Sequence, residues 1–159
     1  MSTLEHVIAG RTLHCIWPAA TAREAAELMA AWAISALPVL HDQDLVGIIT
    51  ERDLVQRVLA AGFDPDLTPV AQIMSSPIVT VSPTETYATA LARMARHHVR
   101  HLLVVSGDRL DGVVSMRDLL LVDAVEKSVE IELLTSYIYA VPPVLPPLGS
   151  APEEWAHTL

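Results

Sequence analysis

Aromatic side chains are scarce in this 159-residue chain: three Trp, three Tyr and one Phe, 4% of the residues. With 52% hydrophobic residues overall, any core must be aliphatic, and the composition excludes a disordered chain. Cysteine is nearly absent. Cys15 alone allows no internal disulfide and no metal-ligand spacing, and between Leu13 and Ile16 it reads as a small core residue of a buried strand. Positive charge is short as well. Ten Lys and Arg face 19 Asp and Glu, a formal charge of −9, which argues against binding a nucleic-acid backbone by bulk electrostatics. Long apolar runs are missing: Val39-Leu40 gives way to His41-Asp42, and Val46-Gly47-Ile48-Ile49 to Thr50-Glu51. Nothing approaches the roughly 18 continuous apolar residues of a membrane span. Glu5 and His6 break any basic-then-apolar leader, so the expectation is a soluble, cytoplasmic chain without a secretory signal.

What the chain does have is a repeat. Thr50-Glu51-Arg52-Asp53-Leu54 returns 65 residues on as Ser115-Met116-Arg117-Asp118-Leu119. The same shift, without a gap, pairs Pro18 with Pro83, Thr21 with Thr86, Ala25 with Ala90 and Met29-Ala30 with Met94-Ala95. It also pairs Leu37 with Leu102, Val39 with Val104, Leu45 with Leu110 and Gly47 with Gly112. That is about a dozen identities where chance supplies roughly three.

Each copy parses as β-α-β-β-α. A strand (Leu13–Ile16, Ile78–Val81) ends at a proline, and Thr21 with Glu24 forms a capping box for the first helix. Ala25, Leu28, Met29 and Trp32 recur there at helical spacing, as Ala90, Leu91 and Met94 do in the second copy. Two strands follow around a polar turn (Leu37–Leu40 and Val46–Thr50; Leu102–Val105 and Gly112–Ser115), and the last leads straight into a second helix. Three strands with both helices on one face leave the other face bare, so the two copies are expected to pack sheet to sheet. At the flanks, Ser2 caps a short helix ending at Gly10, and residues 61–65 form a connector. Val70–Met74 reads as a helical lead into the second copy, and Ala124–Tyr139 as a long terminal helix. Pro142, Pro143, Pro146, Pro147 and Pro152 enforce an extended tail. The expected division is 1–65, first repeat with its N-terminal helix; 66–123, second repeat; 124–159, terminal helix and proline-rich tail.

These residues resemble the CBS family, named after cystathionine β-synthase. Four segments carry the likeness: residues 36–40 (ALPVL), 45–54 (LVGIITERDL), 69–74 (PVAQIM) and 99–104 (VRHLLV). The likeness runs from Leu4 to Tyr139 and is closest to small free-standing bacterial CBS-pair proteins, whose terminal helix ends in a pair like Tyr137-Ile138. It implies an α+β fold of tandem repeats about a pseudo-twofold axis, and a homodimer forming a disc of four repeats. It also implies adenosine-containing regulatory ligands between repeats: AMP, ADP or ATP, with S-adenosylmethionine and NAD in the wider class. Two positions depart from the family pattern: Leu103 replaces the usual proline, which Pro38 keeps in the first copy, and Arg117 stands where close relatives often carry glycine.

The candidate site follows from both readings. Thr50-x-x-Asp53 and Ser115-x-x-Asp118 sit where a strand turns into a helix, whose first N–H groups favour phosphate. A carboxylate fixed there can accept both hydroxyls of a ribose. The same spacing is equally a plain capping box, and it is the resemblance that makes Asp53 and Asp118 ribose contacts. Arg93, Arg96, His97, His98, Arg100 and His101 form a basic cluster in an acidic chain, the first three also fitting a solvated helix face. By the resemblance, Arg100 and His101 face phosphate; Thr50 and Ser115 are expected to join them, with Arg52 or with Arg117, which either holds a phosphate or fills the cleft. Ser35-Ala36 holds the matching places in the first copy, so the two sites are expected to be unequal, the phosphate grip coming from the second copy. Ile34, Pro38, Ile78 and Val99 are the expected adenine pocket. No nucleophile with a base is evident, and His97, His98 and His101 lack an accompanying carboxylate or cysteine. The expectation is therefore no enzyme, no metal and no nucleic-acid or membrane partner. The chain is a nucleotide sensor signalling to an unidentified protein or, alternatively, a ligand-free dimerisation scaffold.

Overall fold

The computed structural model describes residues 2–76 and 78–140. Its elements are α1 (Leu4–Ile8), α2 (Ala22–Trp32), β1 (Ala36–His41), β2 (Asp44–Thr50) and α3 (Glu51–Leu54), which runs on into a π-helical turn, Val55–Leu59. Then come α4 (Val70–Ile73), β3 (Thr80–Val81), α5 (Tyr87–His97), β4 (His101–Ser106), β5 (Arg109–Ser115) and α6 (Met116–Ala140). The expected tandem α+β architecture is present, with the two units' sheets packed on each other. Residues up to Ala124 form one compact unit, and Val125 onward a second, of which the described part is the continuation of α6. The proline-rich stretch lies outside the described residues.

The repeat in sequence is a repeat in packing. Ala25, Met29, Leu37, Val39 and Ile49 build one aliphatic core; Ala90, Met94, Leu102, Val104 and Val114 build its counterpart. β1 pairs antiparallel with β2 and β4 with β5, each with a register shift at the matching place, after Val39 and after Val104. The expected capping box of Thr21 and Glu24 is formed.

The short lead helices exchange places. Leu4 and Val7 of α1 are buried in the core of the second copy, while Val70 and Ile73 of α4 are buried in the first. The backbone repeats the exchange: Thr3 bridges Thr86, and Pro69 bridges Thr21. The glycines opposite the register shifts make this seating close. A Cβ on Gly112 would stand 3.0 Å from Ile8 Cγ2, and one on Gly47 would stand 2.6 Å from Met74 Sδ.

Five local expectations need correction. The strand at Leu13–Ile16 shrinks to a single bridge, Ile16 to Val39. Ile16 donates to Pro38 O (3.0 Å) and accepts from Leu40 N–H (2.9 Å), but the next rung needs an N–H at position 38, where proline has none. In the second copy Leu103 stands there and donates to Val79 O (3.2 Å), so that rung exists. Cys15 is accordingly half-buried outside any strand, where burial pushes its thiol pKa up. Trp32 lies outside the core, exposed and stacked on His14 with ring centroids 4.3 Å apart. At the flanks, Thr3 rather than Ser2 precedes α1, and there is no break before Ala124: α6 runs unbroken from Met116, with no glycine or proline to stop it.

Candidate functional site

Two clefts open between the copies, each built by a corner of one and a strand entry of the other. Cleft 1, about 540 Å³, joins Thr50, Arg52 and Asp53 to Val99, Arg100 and His101. Cleft 2, about 430 Å³, joins Ser115, Arg117 and Asp118 to Ile34, Ser35 and Ala36. Both volumes suit a small organic ligand. Ser35, His101, Ser115 and Arg117 line both clefts and form their common wall. Ser35 Oγ and His101 Nε2 are 2.8 Å apart across it.

At the corners, sequence spacing becomes geometry. Asp53 Oδ2 accepts the N–H and the hydroxyl of Thr50, each at 2.9 Å, and Thr50 Oγ1 accepts the Asp53 N–H at 3.3 Å. Ser115 and Asp118 repeat this, with Oδ2 accepting at 2.8 Å and 2.6 Å. The capping boxes are therefore real, and each leaves one carboxylate oxygen, Oδ1, outside the box. The helix starts offer phosphate less than expected. Glu51 N–H is bonded to Ser35 O (3.1 Å), Met116 N–H to Arg100 O (2.8 Å), and the hydroxyls of Thr50 and Ser115 are directed at their own aspartates. The guanidinium groups lining the clefts remain as their cationic donors.

Most predicted site residues come together. Asp53, Thr50, Arg52, Arg100 and Val99 share cleft 1; Asp118 and Ile34 lie in cleft 2; His101, Ser115 and Arg117 line both. Pro38 is buried within β1 and Ile78 is half-buried, and neither lines a cleft. Of the rest of the basic cluster, only His98 reaches cleft 1. Arg93 is no solvated residue: it donates to Thr80 O (2.7 Å) and to Glu85 (2.7 Å), holding β3 to α5.

Two arginines escaped the sequence reading. Arg57 lines cleft 1 with its Nε 3.6 Å from Asp53 Oδ1, while its Nη1 donates to the carbonyls of Ile73 (2.7 Å) and Met74 (3.0 Å). The i,i+4 spacing from Asp53 was a legible signal for it. Arg11 lines cleft 2, and its Nη1 lies 3.1 Å from Asp118 Oδ1. No local pattern announces a pair so far apart in sequence. Burial alone would push Asp118 up, but hydrogen bonds from Ser115 and then from Arg11, with the charge of Arg11, hold the carboxyl below its usual range.

His101 is shifted downward, chiefly by burial and further by Arg100, with Asp118 opposing. An unfolded histidine takes its proton near 6.5, whereas the folded ring resists it. The stabilisation is complete above that value and is lost as pH falls through the lower folded value. Melting temperature is therefore expected to drop between pH 7.5 and 5.5, and His101→Gln to flatten the drop. Parallel melting profiles for the two proteins would remove His101 from this account.

The duplicated corners and shared clefts define a module of two tandem repeats. The family model of the CBS domain matches residues 6–60 and again 70–124, and the chain belongs to that family. CBS domains are regulatory rather than catalytic modules, and so is this chain. It is 37% identical over 102 residues to the CBS domain-containing protein YhcV of Bacillus subtilis, spanning 64% of this chain and 72% of that protein. The structure of a protein with CBS domains from Burkholderia ambifaria matches with a TM-score of 0.71 and 32% identity, over 75% of this chain and 91% of that one. A hexameric CBS-CP12 protein from bloom-forming cyanobacteria matches with a TM-score of 0.69 and 31% identity, over 76% and 71%. Among the described residues no helix is long and apolar enough to cross a membrane, and no three His, Cys, Asp or Glu side chains are grouped as for a metal ion.

Proposed function

We propose that the chain is a homodimeric, cytoplasmic sensor that binds an adenine nucleotide, AMP, ADP or ATP, between its repeats and signals occupancy to a partner protein. One observation carries this reading. In cleft 1 a buried carboxylate, Asp53, whose Oδ1 lies outside its capping box, shares a cavity with Arg52, Arg100 and Arg117. A ribose diol donates to such an oxygen, and guanidinium forks suit phosphate. The adenine base rests on Val99 and Ile48 in cleft 1; Ile34 offers the equivalent apolar surface in cleft 2. Support for the homodimer comes from Val55, Leu59 and Leu120, large apolar side chains more than half exposed on the second helices of the two repeats.

The experiment is a thermal-shift series with AMP, ADP, ATP, S-adenosylmethionine and NAD. A ligand at a hundred times its dissociation constant stabilises by about 2.7 kcal/mol, a shift of several degrees. Asp53→Asn keeps an oxygen for the Thr50 bonds and loses the charge, and its shift is expected to shrink. An undiminished shift would count against the ribose assignment. A flat series would favour the ligand-free scaffold.

A further inference from the structure

The two clefts are copies in sequence but not in what they leave open. At the cleft 1 corner, Asp53 Oδ1 has Arg57 Nε at 3.6 Å, an ion pair beyond hydrogen-bond reach, while the Ile73 and Met74 carbonyls hold Arg57 Nη1. At the cleft 2 corner both carboxylate oxygens are engaged: Oδ2 by Ser115 and Oδ1 by Arg11 at 3.1 Å. Arg11 makes there the donation that a ribose hydroxyl would make. It is placed by a fixed scaffold. Leu4 and Val7 anchor α1 in the second core, Ile8 seats against Gly112, and Gly10 at φ +72° turns the chain so that Arg11 N–H returns to Ile8 O (3.1 Å).

Charge divides the clefts in the same sense. Cleft 1 sets four arginines (Arg52, Arg57, Arg100, Arg117) against Glu51 and Asp53, and one of the four, Arg57, is ion-paired with Asp53 at 3.6 Å. Cleft 2 sets two (Arg11, Arg117) against Asp111 and Asp118, and one of the two is already paired. Where cleft 1 has Arg100, cleft 2 has Ser35, and the wall arginine Arg117 is shared.

We infer that each chain takes one phosphate-bearing nucleotide, in cleft 1, and that Arg11 is the residue that denies the second corner to it. This rests on the nucleotide reading above and names which of its two clefts is used. Cleft 2 is a self-occupied copy of the site, closed by the segment that follows α1.

Calorimetric titration of the full chain with ADP tests this. The expected result is one site per chain, weakened in Asp53→Asn. Arg11→Ala, and Arg11→Gln as a second variant that keeps most of the stem, are expected to expose a second site. That site is about ten- to a hundredfold weaker than the first, because no Arg100 counterpart grips the phosphate. In the wild-type chain, breaking the Arg11–Asp118 pair adds to that cost and carries the second site out of the titrated range. Two sites of similar affinity in the wild-type chain would overturn the inference while leaving the nucleotide reading standing. So would a single site of undiminished affinity in Asp53→Asn, or Arg11 variants that still titrate as one site. No heat and no thermal shift with any nucleotide would overturn both.

Discussion

Leu4→Ala is expected to cost about 2–5 kcal/mol of folding stability, the range for emptying a fully buried leucine site. Leu4 has no exposed surface and packs with Tyr87, Leu102 and Val114, which all belong to the second copy. The first effect is read as a fall in the denaturation midpoint at unchanged slope. The second is where the loss appears. In native-state hydrogen exchange the amides of β4 and β5 should lose more protection than those of β1 and β2, although Leu4 precedes the first copy in the chain. Val70→Ala should show the mirror image, because Val70 is equally buried but lies in the first core. A Leu4→Ala loss under about 1 kcal/mol, or one concentrated in β1 and β2, would contradict the exchange of lead helices.

That exchange also shows where reading the sequence reached its limit. The duplication was legible because paired positions face the equivalent core of their own copy: Met29 and Met94, Leu37 and Leu102, Val39 and Val104 are interior in both. The corners were legible because a hydroxyl three residues before an aspartate is local chemistry, and both capping boxes formed as spaced. What escaped was tertiary. Nothing near Leu4 says which copy it will enter, and nothing near Arg11 points to Asp118. The shortened first strand lies between these cases. Pro38 was noted as a family feature, yet its missing N–H already forbids the rung that Leu103 makes in the second copy. Arg93 shows the opposite error. Its place among other bases suggested solvent or ligand, but Glu85, on the loop before α5, lies within its reach and takes it.

Arg100→Ala is expected to weaken ADP binding about ten- to a hundredfold, the value of one or two charge-assisted hydrogen bonds. The reasoning starts from the backbone. Arg100 O accepts the Met116 N–H at 2.8 Å, which fixes the main chain against the start of α6 while the side chain stays exposed at the rim of cleft 1. Truncation therefore removes the guanidinium without disturbing a buried contact, and the melting temperature without ligand should move little. If Arg100 grips phosphate, adenosine should bind the variant nearly as it binds the wild-type protein, so the loss should scale with the phosphates present. Arg100→Lys should recover only part of it, because an ammonium supplies charge without the two-pronged geometry. The affinity of the alanine variant should also depend less steeply on salt, since one cation fewer meets the ligand. An equal loss for adenosine and ADP would mean that Arg100 shapes the cleft rather than reading the phosphate. The four arginines of cleft 1 would then have to be explained by something other than a phosphate-bearing ligand.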